Sequence, residues 1–238
     1  MGRAYEVRKA SIQKNGAIKA KLYSNFAKEI YLAAKNGGTD IDSNDNLKRL
    51  VDKAKKAEVP SDIIKRAIDK VNSGADESYT SCRYEGFGPG ASTLIIDCLT
   101  DNVNRTVGFV RAAFTKCKCK LGAMNSVSHS YENLCIFEVK GYTEEELFEN
   151  LIMNDANVKD IETDGDSVIV YGDAKDYNNI RTALLNIDSN MTIELDEIAM
   201  IPLEKVKLEG EDKEVFDKLL NMLDDIEDVQ NVYHNVEE

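Results

Sequence analysis

Between Leu134 and Ile201 the hydrophobic period of the chain switches in a fixed order that admits few folds. Leu134 to Val139 reads as a strand, Thr143 caps a helix through Ile152, and Val158 to Glu162 with Ser167 to Tyr171 makes a hairpin around Asp164-Gly165. Ala174 to Ile187 is a second helix and Met191 to Ile201 a last strand. Strand, helix, strand, strand, helix, strand is the ferredoxin-like arrangement. Its exposed residues are largely acidic, including Glu144, Glu145, Glu146 and Glu149, which suits solubility or a cationic protein partner rather than a phosphate backbone.

The N-terminal third has a helical rhythm. A helix from about Leu22 to Lys35 carries Leu22, Phe26, Ile30 and Ala33 on one side, and Gly37-Gly38 stops it. Ser43 caps a second helix to Ala57 that buries Leu47, Leu50, Val51 and Ala54. Pro60 opens a third, with Ile63, Ile64, Ala67, Ile68 and Val71 inward, ending at Asn72-Ser73-Gly74. On the second helix Arg49, Lys53 and Lys56 fall at i, i+4 and i+7 and form a basic stripe, while Lys65, Arg66 and Lys70 occupy the outer side of the third. Taken singly, each basic face reads as solvated surface, helped by an Asp52 to Lys56 pair worth ~0.3 kcal/mol.

Charge distribution adds to that plain account. The chain has 238 residues and a formal net charge of -13. Residues 1 to 72 nevertheless hold 16 Lys and Arg against 9 Asp and Glu, a balance of +7, leaving -20 for the rest. Arg3, Arg8, Lys9, Lys14, Lys19 and Lys21 stand against the single acid Glu6 in residues 3 to 21, an arm with few large apolar groups that is expected to be mobile until it meets a partner. A basic module joined to an acidic body points to a polyanion partner at one end of the chain.

Between these regions, beyond the polar linker Gly74 to Ser78, Ser92 to Leu99 reads as a buried strand with a distinctive loop at each end. The first, Gly86-Phe87-Gly88-Pro89-Gly90, has turn composition, and a hairpin is its plain reading. Gly86, Gly88 and Ala91 also spell a dinucleotide fingerprint, but that motif opens a helix and here a strand follows. The second loop offers Asp101, Asn102 or Asn104 as N-cap of a helix from Val103 to Lys116, with Val107, Val110 and Phe114 on one face. Arg105 falls in its first turn, where the helix dipole gives a cation nothing, so an anionic or structural partner elsewhere is expected. Lys116-Cys117-Lys118-Cys119-Lys120 reads first as a basic helix end, and a further strand is expected near Ser126 to Tyr131.

After Pro202 come a helix from Asp212 to Leu223 and a strand from Val229 to His234, which cannot form a core alone. They are expected to pack back on residues 79 to 132, making the ferredoxin-like unit an insertion. The fold class is therefore α+β, with a basic helical domain at 1–77, a central α/β domain at 78–133 plus 206–238, and an inserted ferredoxin-like domain at 134–205.

No Walker loop, nucleophile elbow, HExxH pair or EF-hand loop is present, and two histidines leave few acid–base groups, so the chain does not read as an enzyme. Five scattered cysteines and Cys117-x-Cys119 do not match a disulfide framework or common zinc spacing, and no metal or cofactor is expected. No apolar run approaches the roughly 18 residues of a membrane span, and the N-terminus lacks a secretory core, so a cytoplasmic protein with no membrane partner is expected.

Arg83-Tyr84-Glu85-Gly86-Phe87-Gly88-Pro89-Gly90 together with Thr100-Asp101-Asn102-Val103-Asn104-Arg105-Thr106 resembles the signature of the YebC/PmpR family. Val51-Asp52-Lys53-Ala54-Lys55 and Ile64-Lys65-Arg66-Ala67-Ile68 extend the likeness over nearly the whole chain. Where members of that family begin with a Lys-Trp element, this chain has Arg3-Ala4-Tyr5. The resemblance implies the same three-domain layout and a regulator of gene expression, in either of two settings: DNA-binding transcriptional regulation, or ribosome association that relieves stalled translation, notably at proline runs.

The expected nucleic-acid contacts are Arg8, Lys9, Lys14, Lys19, Lys21, Arg49, Lys53, Lys56 and Arg66, which would hold phosphates without reading sequence. Tyr84, Glu85, Gly86, Gly88, Pro89, Asp101, Asn102, Asn104 and Arg105 carry over as signature positions, either as a second nucleic-acid contact or as the fixing of a hinge between domains. The expected partners are DNA or RNA, including the ribosome. A basic protein on the acidic ferredoxin-like unit is the rival, in which the chain is an interaction adaptor.

Overall fold

A computed structural model describes residues 19–74, 77–188 and 191–237, which fall into two compact units. One comprises residues 128–205. The other comprises the described residues up to 127 together with those from 206 onward. The basic arm, with Arg8, Lys9 and Lys14, lies outside the described residues.

The second of these units begins with three helices, α1 (Lys19–Gly37), α2 (Asp45–Lys56) and α3 (Ser61–Asn72). Their apolar stripes meet in one cluster built on Phe26, Ile30, Leu47, Leu50, Val51, Ala54, Ile64 and Ala67. The cap of α2 is Asn44 rather than Ser43. The reason is that an amide can accept and donate: Asn44 Oδ1 accepts from Leu47 N–H (3.1 Å) while Nδ2 donates to the carbonyls of Ala33 (2.9 Å) and Gly38 (2.8 Å), tying the end of α1 to the start of α2. A serine hydroxyl has one proton to give. Ser43 instead donates to Asp40. Asp52 pairs with Lys55 at 3.6 Å, one step short of the expected Lys56.

A four-stranded antiparallel sheet follows, formed by β1 (Thr80–Phe87), β2 (Thr93–Thr100), β3 (Lys120–Leu121) and, from the far end of the chain, β8 (Val229–His234), in the order β3-β1-β2-β8. One face packs against α4 (Val103–Lys116) and α7 (Gly210–Asp224), burying Leu94, Ile96, Val110, Phe114, Phe216, Leu219 and Leu223. The C-terminal helix and strand thus return to this sheet, as the sequence implies. The strand expected near Ser126 to Tyr131 is instead a loop ending in a single 3-10 turn at Ser128–Ser130. Asn125 N–H and Val127 N–H donate to the Glu85 carboxylate at 3.0 and 2.7 Å, so a side chain takes the amides that a neighbouring strand would need.

Residues 128–205 hold β4 (Tyr131–Lys140), α5 (Glu144–Met153), β5 (Val158–Asp164), β6 (Ser167–Asp173), α6 (Tyr177–Ile187) and β7 (Ile193–Pro202). The antiparallel order β5-β6-β4-β7 is the ferredoxin-like one. Its core joins Phe137, Val139, Leu147, Leu151, Val170, Ile180 and Leu184. Thr143 and Glu146 form a complete capping box at the start of α5. Thr143→Ala should therefore cost about 1 kcal/mol, read as a lowered denaturation midpoint with an unchanged slope.

Candidate nucleic-acid interface and the Asp228 junction

The two signature loops are built by local chemistry. Gly88 N–H donates to Ser92 O (2.9 Å) and Ser92 N–H to Pro89 O (3.2 Å), closing a tight β1–β2 turn in which Gly90 takes φ +60°. Gly86 has a different reason to be glycine. A β-carbon there would stand 2.3 Å from the Phe114 ring and 3.1 Å from Lys120 O, so its absence lets α4 approach the sheet. Gly86→Ala should cost about 2 kcal/mol by overpacking, measured by denaturant unfolding. Tyr84 supports the same contact, its hydroxyl standing 3.5 Å from Val103 O. Glu85, 2% exposed, holds the 122–127 loop through its carboxylate and through its carbonyl, which accepts from Gly122 N–H at 2.7 Å.

The second loop surrounds a buried carboxylate. Asn102 caps α4 by accepting from Arg105 N–H (3.0 Å), while Asn104 is exposed in its first turn. Asp228, 3% exposed and in the turn between α7 and β8, accepts from Arg105 Nη2 (2.8 Å), Thr106 Oγ1 (2.8 Å) and Thr100 Oγ1 (3.1 Å), and its other oxygen meets Lys28 Nζ from α1 at 3.3 Å. Asp101 holds the same guanidinium nitrogen at 2.7 Å. Burial pushes the Asp228 carboxyl up, but the bonds from Arg105 and Thr106, the charge of Lys28 and the bond from Thr100 outweigh it, leaving the group below the usual aspartate value. The anionic partner expected for Arg105 is thus Asp228, with Asp101 beside it.

On α1, Lys21 Nζ donates to the Asp224 carbonyl, Ser24 Oγ to Glu227 (3.2 Å), and Lys28 meets Asp228 and Glu227. One face of this helix is therefore joined to the turn 224–228. Lys19 is exposed at the start of the same helix. On α2, Arg49 and Lys53 are half-buried at the margin of the apolar stripe and Lys56 is exposed, so the three share one side of the helix. Arg49 donates to Asn46 at 3.1 Å. On α3, Arg66 pairs with Asp62 one turn before it, both largely exposed, an arrangement a phosphate can displace at little cost.

Comparison with known proteins gives a single answer. Residues 3–74 match the model of the TACO1/YebC protein N-terminal domain and residues 79–236 the model of the TACO1/YebC second and third domain. The chain belongs to the TACO1/YebC family. Proteins of Vibrio parahaemolyticus (46% identical over 237 residues) and Pseudoalteromonas translucida (48% over 239), each aligned over the full length of both chains, bear the name "Probable transcriptional regulatory protein". A crystal structure of a conserved hypothetical protein from Aquifex aeolicus shares the fold with a TM-score of 0.74 and 32% identity, covering 94% of this chain and 92% of that one.

In this TACO1/YebC chain the structure brings together Arg49, Lys53 and Lys56 on one helix, and separately Asp101, Asn102 and Arg105 at the Asp228 junction. Lys21 faces the turn 224–228. Asp228 and Lys28 escape sequence reasoning, because their partners lie 122 to 200 residues away. The only signal in the sequence was indirect: an arginine in the first turn of a helix needs an anion. Another feature missed is a run free of acids. From Asn102 to Tyr131 there is no Asp or Glu, although the chain contains 43.

No helix among the described residues is long and apolar enough to cross a membrane.

Proposed function

We propose that this protein is a non-enzymatic regulator of gene expression that binds nucleic acid through its N-terminal helical module. The observation that carries this reading is the +7 charge of residues 1 to 72 in a chain of net charge -13, with Arg49, Lys53 and Lys56 on one side of α2. The names borne by the Vibrio and Pseudoalteromonas relatives support a transcriptional role and, with it, DNA as the target. In this reading the division into domains at 1–77, 78–133 plus 206–238, and 134–205 separates a binding module from an acidic body. The body repels loose polyanions and leaves the cationic module to set the contact. The Asp228 junction, which joins α1 to the end of β2 and the start of α4, gives the signature loop a positioning role beneath that module.

Regulation through the ribosome rather than through promoters is the second form of this reading. Both place phosphates against the same cations. A promoter-DNA binding assay at stated salt, run beside ribosome co-sedimentation on a sucrose gradient, separates them: DNA binding without co-sedimentation supports transcription, and the reverse supports translation.

A second reading rests on the ferredoxin-like unit. Phe148, Ile152 and Met153 on α5 are 50, 56 and 78% exposed beside Glu144, Glu145 and Glu149. An exposed apolar patch with an acidic rim suits a cationic protein segment. Partners captured from lysate that survive nuclease treatment, and are lost on Phe148→Asp, support the adaptor.

A further inference from the structure

The acid-free run includes α4 and the turn after it, and α4 turns two adjoining rows of side chains to solvent. Thr106, Val110, Ala113 and Phe114 are buried against the sheet. The opposite side carries Asn104, Gly108, Arg111 and Thr115, all exposed, and the adjoining row carries Phe109 and Lys116. Phe109 is 53% exposed, a large aromatic ring left in water on a helix whose own core is complete. Lys118 continues the positive surface beyond the helix end. Arg105 is held by Asp101 and Asp228, but Arg111, Lys116 and Lys118 form no ion pair among the described residues.

Within the helix, Gly108 costs stability relative to alanine, and a β-carbon there would meet nothing within 4 Å. Internal packing therefore does not require a glycine at this position.

We propose that the exposed face of α4 is a second nucleic-acid contact, taking a single-stranded segment whose phosphates lie on Arg111, Lys116 and Lys118 while one base stacks on Phe109. Charge complementarity supplies the first part, since cations without carboxylates in an otherwise acidic chain are suited to a polyanion. The exposed ring supplies the second. A duplex keeps its bases inside the stack and offers no face to Phe109, whereas a single strand does. Gly108, one residue from the ring, leaves room for the strand to approach the helix backbone. This inference rests on the proposed nucleic-acid function and assigns it an additional surface and a strand preference.

The test uses the full chain and fluorescence anisotropy with three labelled probes: a short oligouridine, the matching oligothymidine, and a DNA duplex. Phe109→Ala should weaken binding of both single strands by about 5- to 100-fold and leave the duplex unchanged. Replacing Arg111, Lys116 and Lys118 together by Gln should flatten the single-strand salt slope by about 2. Gly108→Gln removes no charge and adds a better helix former, so it should hold or raise the thermal midpoint while weakening single-strand binding.

Equal loss between oligouridine and oligothymidine assigns the site to any single strand, and a larger loss for oligouridine assigns it to RNA. If these variants bind single strands like wild type while reversal of Arg49, Lys53 and Lys56 weakens binding, the α4 contact is wrong and the N-terminal one stands. A wild-type chain that binds none of the probes removes both.

Discussion

Replacing Asp228 with alanine should destabilise the unit containing α1 to α4 by about 3 kcal/mol and lower its thermal midpoint by roughly 6–12 °C. The side chain is buried and receives Arg105, Thr106, Thr100 and Lys28. Its removal leaves the Lys28 ammonium, 11% exposed, facing the vacated site. Arg105 is 42% exposed and can rehydrate, which holds the cost to the lower end for a broken buried pair. Asp228→Asn keeps the shape and removes the charge, and should show the same direction at about half the magnitude.

The acid limb of the stability curve provides an independent check. The Asp228 carboxyl titrates below its ordinary value in the folded protein, so its contribution is present above the unfolded pKa, near 4, and is lost as pH falls through the lower folded value. Wild type should lose stability steeply below about pH 4, and Asp228→Ala should lose less over the same interval. Identical acid limbs would show that the carboxylate is not held as an anion.

Reversing Arg49, Lys53 and Lys56 to Glu should weaken nucleic-acid binding on the order of 10- to 100-fold at 0.1 M salt and flatten the salt slope by about 2 to 3. These residues share one side of α2 outside its buried stripe of Leu47, Leu50, Val51 and Ala54, so the fold should survive, with a thermal midpoint close to wild type. The matched control reverses Lys140, Lys159 and Lys175 in residues 128–205. It changes net charge by the same amount. If binding depends on the overall charge of the chain, both variants should weaken alike; if it depends on the N-terminal module, only the first should.

The parts of this fold legible in sequence are those whose causes are local. Helix α4 begins and ends as read, because Asn102 is a strong cap and the apolar positions repeat with helical spacing. The ferredoxin-like order is readable because each element carries its own period and the hairpin turns at Gly165-Asp166, one residue beyond the Asp164-Gly165 expected, with Asp164 still paired to Ser167. What failed was decided by distant groups. Ser43 and Asn44 are both good caps on propensity, and the choice fell to Asn44 because its amide reaches two carbonyls of the preceding helix and its end. The expected strand near Ser126 lost its amides to Glu85, some 40 residues earlier.

The candidate site divides in the same way. The stripe of Arg49, Lys53 and Lys56 follows from helical spacing alone. Lys21 shows the limit, since charge marks it as a phosphate contact while the fold gives its ammonium the Asp224 carbonyl. Asp228 was one acid among several in the stretch Asp224 to Asp228, and only the fold distinguishes it.

The most direct test of the central claim is hydrogen exchange of the full chain, measured with and without saturating nucleic acid. Slowed exchange in residues 45–72, with the helix at 103–116 joining them when the probe is single-stranded, is the predicted result. Unchanged exchange across both segments, or protection confined to residues 128–205, would contradict it.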